Sequence, residues 1–324
     1  MKKKNLLRLE LLTVALSCAI GSAIVNRRHD SEIKIEKVLE SANLDDIIDD
    51  IDIEAIPMVR ATTNVNIRTL PSVDGEKVGL LRKGYSLERI ELMNNGWYKV
   101  NFGGEDAYIC GKYVEETYKY YTNATSNNYV YIKEDTPMVI DSSITATGVD
   151  EVVNIPKNEV GEVIEEYENY YLIKTNEYFG IVAKFATEPL AGTFVVVDIS
   201  DQELKLYVNN LLVLTSPIVS GKPKTPSDEG KFSINAIEYD RYLKGPGYKS
   251  YVDIFMPYNG GEGLHDAEYH TNPDGREHGW RSPEEFGGQT YLTNGSHGCI
   301  NMLNDDVMLV SQYVEVGTPV IVKK

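Results

Sequence analysis

From residue 57 onward, apolar and polar side chains alternate with a period of two, as in strands that bury one face. Asn64-Val-Asn-Ile-Arg68 alternates, Leu70-Pro-Ser-Val-Asp-Gly75 carries turn chemistry, and Val78-Gly-Leu-Leu81 and Tyr85-Ser-Leu-Glu-Arg-Ile90 follow as strands. Asn95-Gly96 then turns the chain into an aromatic strand, Trp97-Tyr-Lys-Val100, and Ala107-Tyr-Ile109 follows it. Short strands at regular intervals predict a small β-barrel over 57–118. A weaker copy runs over 127–190. There Glu168-Asn-Tyr-Tyr-Leu-Ile173 stands in for Asn95-Gly-Trp-Tyr-Lys-Val100, and Gly180-Ile-Val182 for Ala107-Tyr-Ile109. This copy has no counterpart to Val65-Asn-Ile-Arg68.

Apolar density rises from residue 192. Thr193-Phe-Val-Val-Val-Asp198, Glu203-Leu-Lys-Leu-Tyr-Val208 and Leu211-Leu-Val-Leu-Thr215 read as successive strands, with Asn209-Asn210 as a tight hairpin turn. Val316-Gly-Thr-Pro-Val-Ile-Val322 is a closing strand. Only Asp305 to Tyr313 reads as a helix, so the fold class is mainly β.

Before residue 57 the pattern is different. Lys2, Lys3, Lys4 and Arg8 precede an uncharged apolar run from Leu11 to Val25. That run suits a secretory signal, and Leu6, Leu7 and Leu9 lengthen it towards the roughly 17–25 residues of a spanning helix. Residues 1–29 are therefore expected to be a signal peptide or an uncleaved signal-anchor helix, with the remainder extracytoplasmic. Residues 30–56, with Asp45, Asp46, Asp49, Asp50 and Asp52 among isoleucines, read as an acidic linker.

A length of 324 residues fits two or three domains. The net charge of −17 argues against nucleic acid or an anionic membrane surface as partner. Cys18, Cys110 and Cys299 are too scattered for a disulfide framework or a zinc pattern.

Candidate chemistry centres on Cys299, a thiol between Gly298 and Ile300 with Ser296 and His297 before it and Asn301 after. A thiol needs a base or a positive field to attack as thiolate. Flanking glycine leaves bare N–H groups near a substrate carbonyl. The pattern points to acyl transfer through a thioester, with the Gly298 and Cys299 N–H groups as oxyanion donors. Gly263-Leu-His-Asp-Ala267 puts His265 in a strand-like context, and His278 and His270 lie nearer the thiol in sequence. His297 is less suited to be the base, since neighbours in an extended segment point to opposite faces. The histidines show no HxxxH grouping, so no metal or other cofactor is expected.

Ser296-His-Gly-Cys-Ile-Asn301 resembles the signature of the L,D-transpeptidase (YkuD-type) family. Ser220-Gly221 with Thr225-Pro226, Gly230 and Phe232 resembles the family's TPxGxF stretch, two residues longer. Phe255-Met-Pro-Tyr258, Gly263-Leu-His-Asp-Ala267, Trp280-Arg-Ser282 and Phe286-Gly-Gly288 fall in family order over 192–324. The repeats at 57–118 and 127–190 resemble bacterial SH3-like domains.

The resemblance implies a catalytic β-sandwich of mixed sheets and a cysteine acyltransferase that cross-links peptidoglycan stem peptides. Cys299 would be the nucleophile and His265, matched by context, the base. An insertion, Glu268–Gly279, would account for the longer interval, and its Asn272-Pro-Asp-Gly275 reads as an exposed turn; His278, closer to the family's usual interval, is the alternative base. Ser296 and Asn301 would support the loop or contact substrate. Carbapenem-type β-lactams would be inhibitors, and the SH3-like repeats would bind the wall or act as spacers. An L,D-carboxypeptidase using water as acceptor and a non-catalytic wall-binding scaffold are the alternatives.

Overall fold

The structure, a computed structural model, describes residues 53–324 apart from 82, 84, 123, 141–150, 246–247, 272–274 and 276. The expected N-terminal helix and most of the acidic linker lie outside the described residues. Among the described residues no helix is long and apolar enough to cross a membrane. The chain is mainly β, as the alternation implies.

Strands β1 (Ile53–Ala61), β2 (Val65–Arg68), β3 (Lys77–Leu81), β4 (Ser86–Leu92), β5 (Trp97–Phe102), β6 (Glu105–Cys110) and β7 (Val114–Thr122) form one sheet in the order β3-β2-β6-β5-β4-β1-β7. Their alternate residues, among them Val59, Val65, Ile67, Val100 and Ile109, make one buried cluster. Strand β1 starts four residues inside the stretch read as linker.

Strands β8 (Tyr129–Ile132), β9 (Thr136–Ile140), β10 (Glu151–Ile155), β11 (Val160–Glu166), β12 (Tyr170–Lys174), β13 (Phe179–Ala183) and β14 (Thr187–Leu190) follow. The order β10-β9-β13-β12-β11 repeats β3-β2-β6-β5-β4 strand for strand. A 3-10 turn succeeds β6 at Gly111–Tyr113 and β13 at Lys184–Ala186. The counterpart that the sequence lacks at Val65-Asn-Ile-Arg68 is β9, Thr136-Pro-Met-Val-Ile140. Pro137 disguises it, because proline within an apolar run argues against a strand.

The chain divides into two compact units. One takes the described residues up to 126 with 132–157 and 161–188. The other joins 127–131 and 158–160 to 189–324.

The second unit contains β15 (Phe194–Asp198), β16 (Glu203–Val208), β17 (Leu211–Val219), β18 (Gly230–Ser233), β19 (Glu238–Gly245), β20 (Tyr248–Asn259), β21 (Glu262–Asp266), β22 (His270–Thr271), β23 (Glu277–His278), β24 (Ile300–Met302) and β25 (Pro319–Lys323). Nine of them run in the order β18-β25-β15-β16-β17-β24-β21-β20-β19. Strand β17 joins the two halves: its first residues pair with β16, and Ile218 and Val219 pair with β24. Asn209 and Asn210, both at positive φ, make the expected hairpin turn.

Val195, Val197, Leu204 and Leu206 from one half share a buried cluster with Ile254, Met256, Leu264, Ile300 and Met302 from the other. Short helix α1 (Tyr291–Asn294) precedes the thiol loop, and α2 (Asn304–Tyr313) adds Val307 and Val310 to the cluster. Burying such an aliphatic side chain contributes about 1.5–3 kcal/mol. Strand β15 is buried on both faces, which explains its unbroken apolar run. Val195 and Val197 enter the sandwich, while Phe194 and Val196 pack with Tyr131, Leu190 and Tyr207. Asp198 at its end holds the buried Lys323 ammonium at 2.6 Å, with Glu159 at 3.1 Å.

Candidate active site

The signature hexapeptide runs from the loop after α1 into β24, and neighbouring backbone clamps it. Strand β24 runs parallel to β21 with Leu264 opposite Ile300 and His265 opposite Asn301. That register sets the His265 and Asn301 side chains on one face of the sheet. The Ser296 hydroxyl accepts the Gly298 N–H at 3.0 Å and donates to the Cys299 carbonyl, closing a tight turn. The Ser296 N–H donates to the Ser220 carbonyl (2.9 Å), and the Ser296 carbonyl accepts from the Lys222 N–H (3.1 Å) and the Thr225 hydroxyl (3.0 Å). Ser227 Oγ donates to the Gly298 carbonyl at 2.7 Å.

Two glycines make the clamp possible. Gly298 has φ +121°, a backbone state that side chains resist. A Cβ on Gly221 would stand 2.3 Å from the Thr225 carbonyl oxygen. The stretch read as a lengthened TPxGxF is thus the wall that fixes the thiol loop. The Gly298 N–H, expected as an oxyanion donor, is engaged by Ser296.

The Cys299 sulfur is half-buried and points at the β20–β21 turn. It donates to the Gly261 carbonyl at 3.6 Å, and no hydrogen bond joins it to an imidazole among the described residues. Burial pushes its pKa up to about 11, and the Glu262 carboxylate adds to the rise against an opposing Gly263 backbone bond. Burial also raises Glu262, whose carboxylate accepts the Asp228 N–H at 3.2 Å. The resting site therefore holds a protonated thiol.

His265 is buried on β21. Its Nδ1 lies 2.7 Å from the Asp266 carbonyl and its Nε2 lies 3.0 Å from Asn301 Nδ2. Arg281 Nε donates to Asn301 Oδ1 at 2.8 Å, which turns the amide so that its NH2 faces the imidazole. Nδ1 then carries the proton and Nε2 the lone pair. Burial, with a smaller push from Arg281, lowers the His265 pKa to about 4. Arg281, itself buried, also donates to the Asn294 carbonyl at 2.7 Å, tying α1 to the histidine. Trp280-Arg-Ser282 is readable as a family segment, but no role for Arg281 follows from it. Besides Glu285, four residues on at 3.4 Å, its partners lie 13 and 20 residues away and meet it only in the fold.

The other histidines go elsewhere. His297 is exposed with Nε2 3.3 Å from Lys222 Nζ. His278 is buried against the edge of Tyr251, ring centroids 4.4 Å apart, and its Nδ1 lies 3.5 Å from Asp253 Oδ1. His270 Nε2 lies 2.7 Å from Asp253 Oδ2. Strands β22 and β23 pair His270 with His278 directly, a juxtaposition that a search for helical spacing misses. The expected turn at Asn272–Gly275 falls mostly outside the described residues.

A mixed β-sandwich that presents a half-buried thiol in a clamped glycine turn, with a tautomer-locked imidazole on the adjoining parallel strand, has the form of a cysteine acyl-transfer domain. Residues 192–322 match the YkuD family, the L,D-transpeptidase catalytic domain, and residues 63–115 match the bacterial SH3 domain. The chain belongs to the L,D-transpeptidase family through its C-terminal domain.

An L,D-transpeptidase of Enterococcus faecium, solved as a C442S mutant, is 33% identical over 41% of this chain and 50% of its own length, with TM-score 0.36. This chain thus spans about half of that relative. The E. faecium catalytic domain acylated by ertapenem is 36% identical over 41% of this chain and 98% of its own, with TM-score 0.35. An L,D-transpeptidase from Mycobacterium smegmatis is 20% identical over 64% of this chain and 90% of its own, with TM-score 0.34. No curated protein matches the chain.

Proposed function

We propose that the chain is a peptidoglycan L,D-transpeptidase in which Cys299 is the nucleophile and His265 the base. The observation that carries this reading is the alignment of the signature loop with β21, which sets His265 against Asn301 beside the thiol. Cys299 attacks the carbonyl that joins the diamino acid of a stem to its terminal D-residue. The thiol proton passes to His265 Nε2, whose lone pair exchanges the Asn301 NH2 for the thiol as the sulfur leaves the Gly261 carbonyl. Backbone N–H groups at the glycine turn steady the oxyanion, Cys299 directly and Gly298 on release from Ser296. The proton goes on to the departing D-residue amine, leaving a thioester. A side-chain amine of a second stem then attacks the thioester carbonyl, and His265 takes the proton of that amine and returns it to the Cys299 sulfur as the C–S bond breaks. Asn301 and Arg281 hold the imidazole in place.

A neutral thiol and neutral imidazole in the resting site favour proton transfer during attack over a standing ion pair. Carbapenem-type β-lactams would acylate the same sulfur, and the segment at 1–29 would hold the enzyme extracytoplasmic at the membrane. Product analysis on disaccharide-tetrapeptides, with water and an amine acceptor competing, tests the assignment. Cross-linked dimer is the expected product. Trimmed tripeptide alone identifies a carboxypeptidase, and unchanged substrate identifies a scaffold.

A further inference from the structure

Outside the thiol site, one cluster gathers ligand-bearing side chains from separate elements. Among the described residues, Asp253 on β20, His270 on β22 and His278 on β23 each offer one donor atom, and these lie within 4.8 Å of one another. The hairpin register sets His270 opposite His278, so that both rings leave the same face and stack with centroids 5.5 Å apart. Asp253 presents one carboxylate oxygen to each ring, at 2.7 Å to His270 Nε2 and 3.5 Å to His278 Nδ1.

We propose that Asp253, His270 and His278 form a binding site for a divalent transition-metal ion of the zinc class. Two imidazole nitrogens and a carboxylate are the donor set such ions favour over Mg²⁺ or Ca²⁺, which prefer oxygen. A zinc ion needs ligands at about 2.0–2.2 Å, placing donors roughly 3.3–3.5 Å apart. The His278–Asp253 pair already meets that spacing, and His270 has to withdraw from Asp253 by a little over half an ångström. A further contact supports His270 as a ligand. Its Nδ1 lies 2.9 Å from the Glu268 carbonyl and donates there, which fixes the ring so that Nε2, now donating to Asp253, would give up its proton and ligate when a metal ion binds. Three protein ligands leave a fourth position for water.

The ion would be a staple rather than a reactant. Asp253 lies two residues along β20 from Phe255, the register partner of His265. The hairpin runs on into Trp280, whose ring centroid is 5.9 Å from that of His265. Metal binding would fasten the hairpin to β20 and fix Trp280 over the catalytic face.

The test uses untagged full chain, stripped with a chelator and then dialysed against Zn²⁺ alone. The expected result is one equivalent of zinc retained by elemental analysis, with a higher melting temperature than the stripped protein. His278→Gln and Asp253→Asn should lose the retained zinc, and Cys299→Ala should keep it. Co²⁺ in place of Zn²⁺ should give visible absorption bands of a low-coordinate N/O site in the wild-type protein. Wild-type protein that retains no zinc overturns the proposal. So does retention undiminished in both ligand variants, or loss in Cys299→Ala. The wild-type stoichiometry decides the matter even where a ligand variant folds poorly.

Discussion

Cys299 keeps its proton at neutral pH because its sulfur is held away from water and beside Glu262. Alkylation by iodoacetamide should therefore climb steadily through pH 9 and level only near pH 11; a plateau reached by pH 7 would show an ion pair instead. His265 makes the opposite contribution to stability. Its folded pKa, about 4, lies below the ordinary 6.5, so the unfolded chain takes up a proton first as pH falls. Folding stability should drop between pH 6.5 and 4, by on the order of 3 kcal/mol from this residue. In His265→Asn that part of the acid slope should vanish in denaturant titrations. Arg281→Ala removes a buried charge that orients Asn301 and ties α1. It should cost about 1–3 kcal/mol of stability, because the buried Asn301 oxygen loses its donor. Arg281→Lys, which keeps the charge but not the planar fork, should lower the rate of thioester formation more than it lowers the melting temperature. The thiol, its histidine neighbour and Asn301 were legible as contiguous or patterned residues. Arg281 and Glu262 were not, because only the fold brings them to the hexapeptide.

Regular alternation made most strands readable, and their failures have physical causes. Strand β9 hides behind Pro137, which breaks the apolar run. The β22–β23 hairpin hides because each strand is two residues long and its histidines sit eight apart. The Ser220–Ser227 stretch was readable as a family segment, yet its task as clamp on the thiol loop depends on hydrogen bonds across 71 residues. Gly221→Ala tests that task. Its Cβ has no room against the Thr225 carbonyl, so the clamp must open. A loss of about 1–3 kcal/mol in stability and a slower acylation of Cys299 are expected, within the range for forced backbone shifts. Unaltered acylation in a folded Gly221→Ala protein would separate the clamp from the chemistry.

At the scale of the molecule, the catalytic unit extends beyond the stretch that reads as its own domain. Residues 127–131 and 158–160 group with 189–324. Tyr131 packs with Phe194 and Tyr207 on the outer face of β15, and Glu159 pairs with Lys323. A fragment cut at residue 192 should therefore melt below one cut at 127, since it exposes Phe194 and strips Lys323 of one carboxylate. Lys323→Ala in the full chain leaves Asp198 and Glu159 buried together, at a cost of about 3–5 kcal/mol. Equal melting temperatures for the two fragments would show that residues 127–131 and 158–160 add nothing to the stability of the catalytic unit. The boundary was illegible because residues 127–131 and 158–160 share the second repeat's alternation yet group with 189–324.

The most direct test of the central claim is the mass of a trapped reaction. Full chain mixed with a disaccharide-tetrapeptide and quenched in acid should carry one acyl group, lighter than the donor by D-alanine, on the peptide containing Cys299. That mass should be absent from Cys299→Ala and strongly reduced in His265→Ala, but not in His278→Gln. An adduct on any other residue, or one that survives in Cys299→Ala, would contradict the account.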